Sequence, residues 1–439
     1  MPAFAGMTNS GGRKNVTQTS GIGEMWRHKR VLAASLIGTA VEFYDFYIYA
    51  TAASLIFPAL FFPASSPTAQ LMASYGSLAL AFFARPLGAA VFGHYGDRVG
   101  RKATLVTSLM LMGGCTLAIG FLPTHAQIGW WAPLILCLLR FGQGLGLGGE
   151  WGGAALLAVE NAPPGWRARF GMFPQLGAPV GFIAANGLFL ILDTALSEAD
   201  FLAWGWRLPF LGSAVLVFLG LWVRLKLTET PEFAAAQAEA PPPALPLATL
   251  LRDHLGAAIA GTFAVVACFA VYYIATAFAL GYGTTTLGID RSIFLSLQLG
   301  AILFMAVGIV LAGWWSDQRT PTRVLAWGCA GTTLMGLAFG PMIGTGALLP
   351  IFAILAIALF LMGFVYGPLG AYLPALFPIQ LRYTGASFAF NLGGIIGGAL
   401  APIVATWLIA AQGVALVGLY MTAAAAISLA GLWWTSRAA

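Results

Sequence analysis

Twelve apolar runs of about 20 residues follow one another along this chain, near 33–59, 71–92, 104–122, 131–158, 170–192, 205–225, 257–281, 293–315, 323–343, 347–373, 384–410 and 414–435. Each is long enough to cross about 30 Å of hydrocarbon as an α-helix. Hydrocarbon offers a peptide group no hydrogen bond, so a run that enters it must satisfy its backbone internally, as a helix does. Composition agrees, with 59% hydrophobic and 8% charged residues, against roughly 25% charged in a soluble domain. The prediction is an all-α polytopic membrane protein with twelve transmembrane helices.

In such a chain the polar residues are the informative ones. Between the second and third runs lies Gly93-His94-Tyr95-Gly96-Asp97-Arg98-Val99-Gly100-Arg101-Lys102. So short a connection has to be a tight turn at the membrane face, with Gly93, Gly96 and Gly100 allowing close backbone approach. Asp97 among Arg98, Arg101 and Lys102 can hold helix ends together while paired and release them when the pairing changes. A worn copy, Gly313-Trp314-Trp315-Ser316-Asp317-Gln318-Arg319 with Arg323 beyond, follows 220 residues later, Asp97 to Asp317. That is half of the 439-residue chain, the spacing expected of two six-helix halves descended from one unit. The predicted divisions are a disordered tail over 1–30, a first bundle over 31–226, a linker over 227–254 and a second bundle over 255–435. The linker is rich in Ala and Pro, with an amphipathic helix expected near 245–254.

Of the 21 Lys and Arg, 17 fall on the side that holds both termini, and Arg291 stands alone in a loop of the other side. The positive-inside rule then places both termini in the cytoplasm. The net charge of +6 reflects this asymmetry and gives no reason to invoke nucleic acid. Cys115, Cys137, Cys268 and Cys329 sit in apolar runs without C-x-x-C spacing and read as packing residues. Neither His nor Cys residues cluster as metal ligands, no phosphate-binding loop is present, and no cofactor or catalysis is expected.

Charges inside the runs cost about 2.5–3.5 kcal/mol each at the bilayer centre, so they belong on inward faces. In the first run Glu42, Asp45 and Tyr49 are spaced i, i+3, i+7 and share a face. The fourth run carries Arg140, Gln143, Glu150 and Glu160, with Gly144, Gly148 and Gly152 every fourth residue, a smooth side for close helix contact. At 1.5 Å per residue Arg140 lies roughly 13 Å from the outer end of its helix and Asp45 roughly 18–20 Å from the inner end of its own, so both are near mid-depth. Arg140 can anchor a carboxylate or pair with an acid such as Asp45. Arg85 ends the second run as a gating or structural cation. The third run carries nothing notable beyond Gly113 and Gly114. The second half is nearly free of ionisable groups, and Tyr272, Tyr273, Tyr282, Gln298, Tyr366, Tyr372 and Asn391 are its neutral polar points.

The turn, G-x3-D-R-x-G-R-K, resembles the signature loop between helices two and three of the major facilitator superfamily, and Arg140-x-x-Gln143-Gly144 resembles its second signature. EFYDFYIY in the first run, GGEWGG in the fourth, WRLPF, LTETPEF and FPIQLRYTGASFAFNLGGIIGGALAP are similar to the metabolite:proton symporter family within it, over about 30 to 435. The resemblance implies two pseudo-symmetric bundles in a bacterial inner membrane, acting without a partner chain. It implies inward transport of a small organic acid or zwitterion with a proton. Substrate would meet Arg140, Gln143, Tyr49, Tyr272, Tyr273, Tyr366 and Asn391. Asp45, Glu42 and Glu150 would handle the proton, and Gly93, Asp97, Arg98, Gly100, Arg101, Lys102, Asp317 and Arg85 would gate. A proton-driven exporter or a passive uniporter of the same fold stands as the alternative. The fifth run has Gly177-Ala178-Pro179, only partly like the Gly-Pro signature of the exporters, which weakens that reading.

Overall fold

The computed structural model describes residues 21–63, 66–99, 101–148, 150–225 and 246–438, without the side chains of 93–99 and 101–103 and a few others near segment ends. Twelve long helices run through the described residues. They are α1 (Lys29–Leu55), α2 (Pro67–Val99), α3 (Arg101–Phe121), α4 (Trp131–Glu160), α5 (Arg167–Ala195) and α6 (Leu208–Leu225), then α7 (Leu255–Thr285), α8 (Arg291–Gln318), α9 (Pro321–Ile343), α10 (Leu348–Ala375), α11 (Arg382–Gln412) and α12 (Ala415–Ala438). Eleven are long and apolar enough to cross a membrane, and the shorter apolar stretch Val106–Phe121 of α3 is the twelfth. Below, the terminal face is the one where α1 begins and α12 ends, and the far face is opposite.

Two expectations change. The backbone is helical through Val99 and again from Arg101, so α2 and α3 absorb most of the stretch read as a tight turn. The side chains of Asp97, Arg98, Arg101 and Lys102, the site of Gly93 and all of Gly100 lie outside the described residues. The tail is already helical at Gly21–Arg27, while 1–20 and 226–245 lie outside the description. Beyond the linker, Pro246–Asp253 is a short helix that buries Leu250 and packs on α7 and α11.

Glycines decide which helices meet. A methyl on Gly144 would collide with the backbone of Ala81, and one on Gly148 with the carbonyl of Arg85. Gly88 of α2 answers by lying against the Leu145 carbonyl. α4 thus lies backbone to backbone along α2, which brings Arg140 and Arg85 onto neighbouring helices at similar depth. Gly177 and Gly181 do the same for α5 against Thr39, Ala40 and Tyr44 of α1. Gly152 carries α4 onto Ser387 of α11, across the boundary between the halves.

Two helices widen locally. α7 is a π-helix over Ile274–Phe278 and α11 over Ile395–Ala399. Such a turn frees backbone carbonyls. In α7 the Gln298 amide of α8 donates to the carbonyls of Ala275 (3.1 Å) and Thr276 (2.8 Å). Tyr75 of α2 (2.7 Å) and Ser54 of α1 (3.1 Å) donate to that of Ala277. Two of these three donors come from the other bundle.

The glycine argument has a direct test. Gly148→Ala has only backbone to push against and should destabilise the protein by roughly 2–3 kcal/mol. Gly114→Ala, whose new methyl meets nothing within 4 Å, should stabilise by about 0.5–1 kcal/mol through helix propensity. Thermal unfolding of the two variants in detergent, read by size-exclusion recovery, should shift in opposite directions.

Candidate functional site

Asp45 sits at the middle of α1 with 1% of its surface exposed, and Arg140 of α4 is fully buried. They do not touch. Two neutral side chains join them. Arg140 Nη1 donates to Gln143 Oε1 (3.0 Å), Gln143 Nε2 donates to Thr116 Oγ1 (2.7 Å), and Thr116 Oγ1 donates to Asp45 Oδ2 (3.1 Å). Every donor points from the cation towards the acid. Left over are Nε and Nη2 of Arg140 and Oδ1 of Asp45, which have no hydrogen-bond partner among the described residues. Burying such groups unpartnered costs about 1–3 kcal/mol each, more when charged, so the arrangement stores capacity to bind.

Arg140 lies on aromatic faces, its guanidinium carbon 4.2 Å from the Phe46 ring centre and 4.0 Å from that of Tyr49. Arg85, expected at a gate, is buried beside it, 4.5 Å from Phe46 and 4.6 Å from Phe82. Phe46 therefore carries two guanidinium groups. Cation–π contact partly replaces the water each has lost. Tyr273 of α7 packs edge-on against Phe46 (5.9 Å) and Phe82 (5.3 Å), and Tyr272 stacks on Tyr47 (5.1 Å). Aromatic side chains of both halves meet over the two arginines.

The other predicted residues are buried too, with varied partners. Tyr49 donates to Ser77 (2.8 Å) inside the first bundle. Glu150 accepts from Ser108 (2.5 Å). Asn391 donates to the Gly148 carbonyl (2.8 Å), joining α11 to α4. Tyr366 rings lie against Phe43 and Phe390, and the Trp151 indole stacks on Phe390 at 3.8 Å. Glu42 is buried on α1, one turn from Asp45. Between the halves, Tyr47, Thr51, Phe182, Tyr272, Thr276 and Gln298 are among the residues around a cavity of about 10 Å³, room for about one water.

Both faces are latched, and by the same two helices. At the terminal face Asp317, at the end of α8, accepts from the backbone N–H of Ala168 (2.8 Å) and Arg169 (3.0 Å) and lies 3.4 Å from the Arg169 side chain. Those N–H groups belong to the first turn of α5, whose own N-cap Trp166 offers no side-chain acceptor, so a residue of the other half caps the helix. At the far face Arg291, first residue of α8, pairs with Asp193 near the end of α5 and with Glu198 just beyond it (2.5 Å).

Comparisons with known proteins bear on the family and the fold. Residues 31–242 match the family model "Sugar (and other) transporter". The inner membrane metabolite transport protein YhjE of Escherichia coli is 50% identical over 400 residues, covering 89% of this chain and 90% of that one. The shikimate transporter of Escherichia coli is 36% identical, covering 87% and 88%. A structure of the proton:xylose symporter XylE superposes with a TM-score of 0.72 at 17% identity, over 92% of this chain and 95% of that chain, a likeness of fold. The chain belongs to the major facilitator superfamily. Within it, it stands among the metabolite transporters, and it is a multi-pass membrane protein and not an enzyme.

In this facilitator five contributing residues were not singled out from the sequence. Thr116 and Ser108 lie on α3, the run that reads as featureless; their spacing of eight residues, one face of a helix, was the available signal. Phe46 reads as ordinary core. Tyr75 and Ser54, which hold the widened turn of α7, give no sign in the sequence.

The latches can be loosened singly. Asp317→Ala removes a cap worth about 1–2 kcal/mol and should raise the population open at the terminal face roughly 5- to 30-fold. Arg291→Gln should do the same at the far face. Spin-label distances between the ends of α5 and α8 should lengthen at the altered end only.

Proposed function

We propose that this facilitator is a proton-coupled symporter that takes up a small organic anion or zwitterion across the bacterial inner membrane by alternating access. It acts as a monomer, with both termini in the cytoplasm. One observation carries the reading. A buried carboxyl and a buried guanidinium at mid-depth belong to one hydrogen-bonded chain, and each keeps unused bonding capacity. The shikimate transporter among the relatives and the proton:xylose symporter among the structural neighbours support the substrate size and the coupling ion.

In this cycle Asp45 carries the proton, with Glu150 and Glu42 as the other first-half acids available to it. The free Nε and Nη2 of Arg140 form the planar fork that suits a carboxylate. Arg85 across Phe46 adds a second positive charge to attract an anion, and it shifts with α2 when the gate moves. Gln143 holds Arg140 in orientation. Tyr49 supports the guanidinium from below, while Tyr272, Tyr273, Tyr366 and Asn391 bring the second half over the substrate. The signature segment, Gly93 to Lys102, and Asp317 latch the terminal face, which opens in turn with the far face held by Arg291. Substrate and proton move the equilibrium only by binding one conformation better than the other.

Reconstituted vesicles loaded with shikimate or short organic acids, first ranked by thermal shift, test the scheme. Asp45→Asn should abolish accumulation driven by a pH gradient and leave counterflow intact; unchanged accumulation would remove Asp45 from the mechanism. Arg140→Lys loses the planar fork, a charge-assisted contact worth about 2–3 kcal/mol, and should weaken substrate affinity roughly 30- to 150-fold. Equal affinity in that variant would remove Arg140 as the anchor.

A further inference from the structure

We propose that Thr116 is the positioning residue that lets Asp45 gain and lose a proton without losing a hydrogen bond, and that relays the change to Arg140. The proposal rests on the reading of Asp45 as the proton carrier. A threonine hydroxyl has one hydrogen to give and two lone pairs. Here that hydrogen has two acceptors within reach, Asp45 Oδ2 at 3.1 Å and the Met112 carbonyl at 3.0 Å. One lone pair of the hydroxyl is taken by Gln143 Nε2 at 2.7 Å.

With Asp45 ionised, the hydroxyl gives its hydrogen to Oδ2. When a proton arrives on Oδ2, that proton becomes a donor and points at the second lone pair of Oγ1. The threonine hydrogen then turns to the Met112 carbonyl. Two arrangements result, with the same heavy-atom positions and the bond between Oδ2 and Oγ1 kept in each, and the only net change is one proton added at Oδ2. In a dry interior, where a lost bond costs about 1–3 kcal/mol, this keeps both states of the acid accessible.

The same turn of one hydrogen reaches Arg140. In the ionised state the three bonds from guanidinium to carboxylate run head to tail, and each polarises the next. In the protonated state the series is broken at Thr116, because Oγ1 now accepts from both sides. Gln143 is pulled less, its Oε1 accepts less strongly, and Nη1 of Arg140 is freer to join Nε and Nη2 in holding an anion. Proton first, substrate second, is the order this imposes.

The ionisable groups near Asp45 are Glu42 and Tyr44 on α1 and Arg140 and Glu150 on α4, while Arg85 of α2 and Tyr273 of α7 lie further off, against Phe46. α5 carries no charged residue between Arg169 and Asp193, nor α6 between Arg207 and Arg224. These groups set how readily Asp45 holds its proton. Among the described residues only Thr116 bonds to its side chain.

The test needs no substrate. Infrared difference spectra of the full-length protein in lipid are recorded with pH as the only perturbant, and the carboxylic C=O band of Asp45 is assigned by its disappearance in Asp45→Asn. Thr116→Ser should keep that band in place. Thr116→Val, which has the same shape and no hydroxyl, should move it to higher wavenumber, as for a carboxyl that has lost its partner; Thr116→Ala should do likewise and serves if the valine protein does not fold. A band that stays put in a folded Val or Ala variant overturns the role of Thr116. A spectrum in which Asp45→Asn removes no band overturns the earlier assignment of the proton to Asp45 and takes this proposal with it.

Discussion

The polar side chains at the middle of this bundle are buried, so each depends on partners within the protein. That requirement shapes the interior more than any apolar contact does. Apolar side chains of the right size are interchangeable at modest cost, but Gln298 has to face the π-turn of α7 for its amide to reach the carbonyls of Ala275 and Thr276. Thr51 and Asn186 bind one another at 2.5 Å for the same reason and bring α1 to α5. Where the requirement is left incomplete, at Arg140 and Asp45, the protein retains capacity to bind something else.

The first bundle is assembled around α1 by the same rule. Ser35 donates to the Ala154 carbonyl of α4 (3.1 Å), Thr39 to that of Pro174 in α5 (2.8 Å) and Tyr44 to that of Pro209 in α6 (2.9 Å). Each of these bonds reaches more than a hundred residues along the chain. They fix the rotation of α1, and that rotation decides that Asp45 faces α3 and α4 and not lipid. An acid placed in this way is held by the backbone of its neighbours, so its surroundings change only when those helices move.

The sequence was legible where a single helix carries the information. Run length predicts the spans to within a few residues, and the insertion cost of charge predicts that Asp45, Glu150 and Arg140 are buried. Asp317 was legible as a repeat of Asp97, though its partner was not, since the N–H groups of Ala168 and Arg169 are backbone and leave no mark in a sequence. Thr116 was missed because a threonine in a helix can satisfy itself on its own carbonyl four residues back, as it partly does at Met112, and so looks neutral. The widened turns were missed because a π-helix depends on which donors lie opposite, and those come from other helices. In each case the missing information belongs to contacts between helices, which pairing in space decides and periodicity does not.

The two latches act on one pair of rods. α5 has 29 residues and α8 has 28, so each is roughly 42 Å long, with an ion pair at either end and close contact between. Rods held in this way cannot separate at both ends without losing both latches together, whereas a tilt about the middle costs one latch and preserves the other. In the proposed cycle this favours single-sided opening before any substrate is considered. Each latch is a partly exposed ion pair or cap, of about 1–2 kcal/mol, and the bonds rearranged between Arg140 and Asp45 are individually of the same order. Comparable magnitudes matter here, because an equilibrium moves only as far as the differential binding energy allows. Latches several times stronger would hold the protein shut whatever the state of Asp45, and much weaker ones would let both faces leak. In the proposed cycle the α1–α5 contact at Gly177 and Gly181 connects the two energies, since the helix that carries Asp45 lies backbone to backbone on the helix that carries both latches.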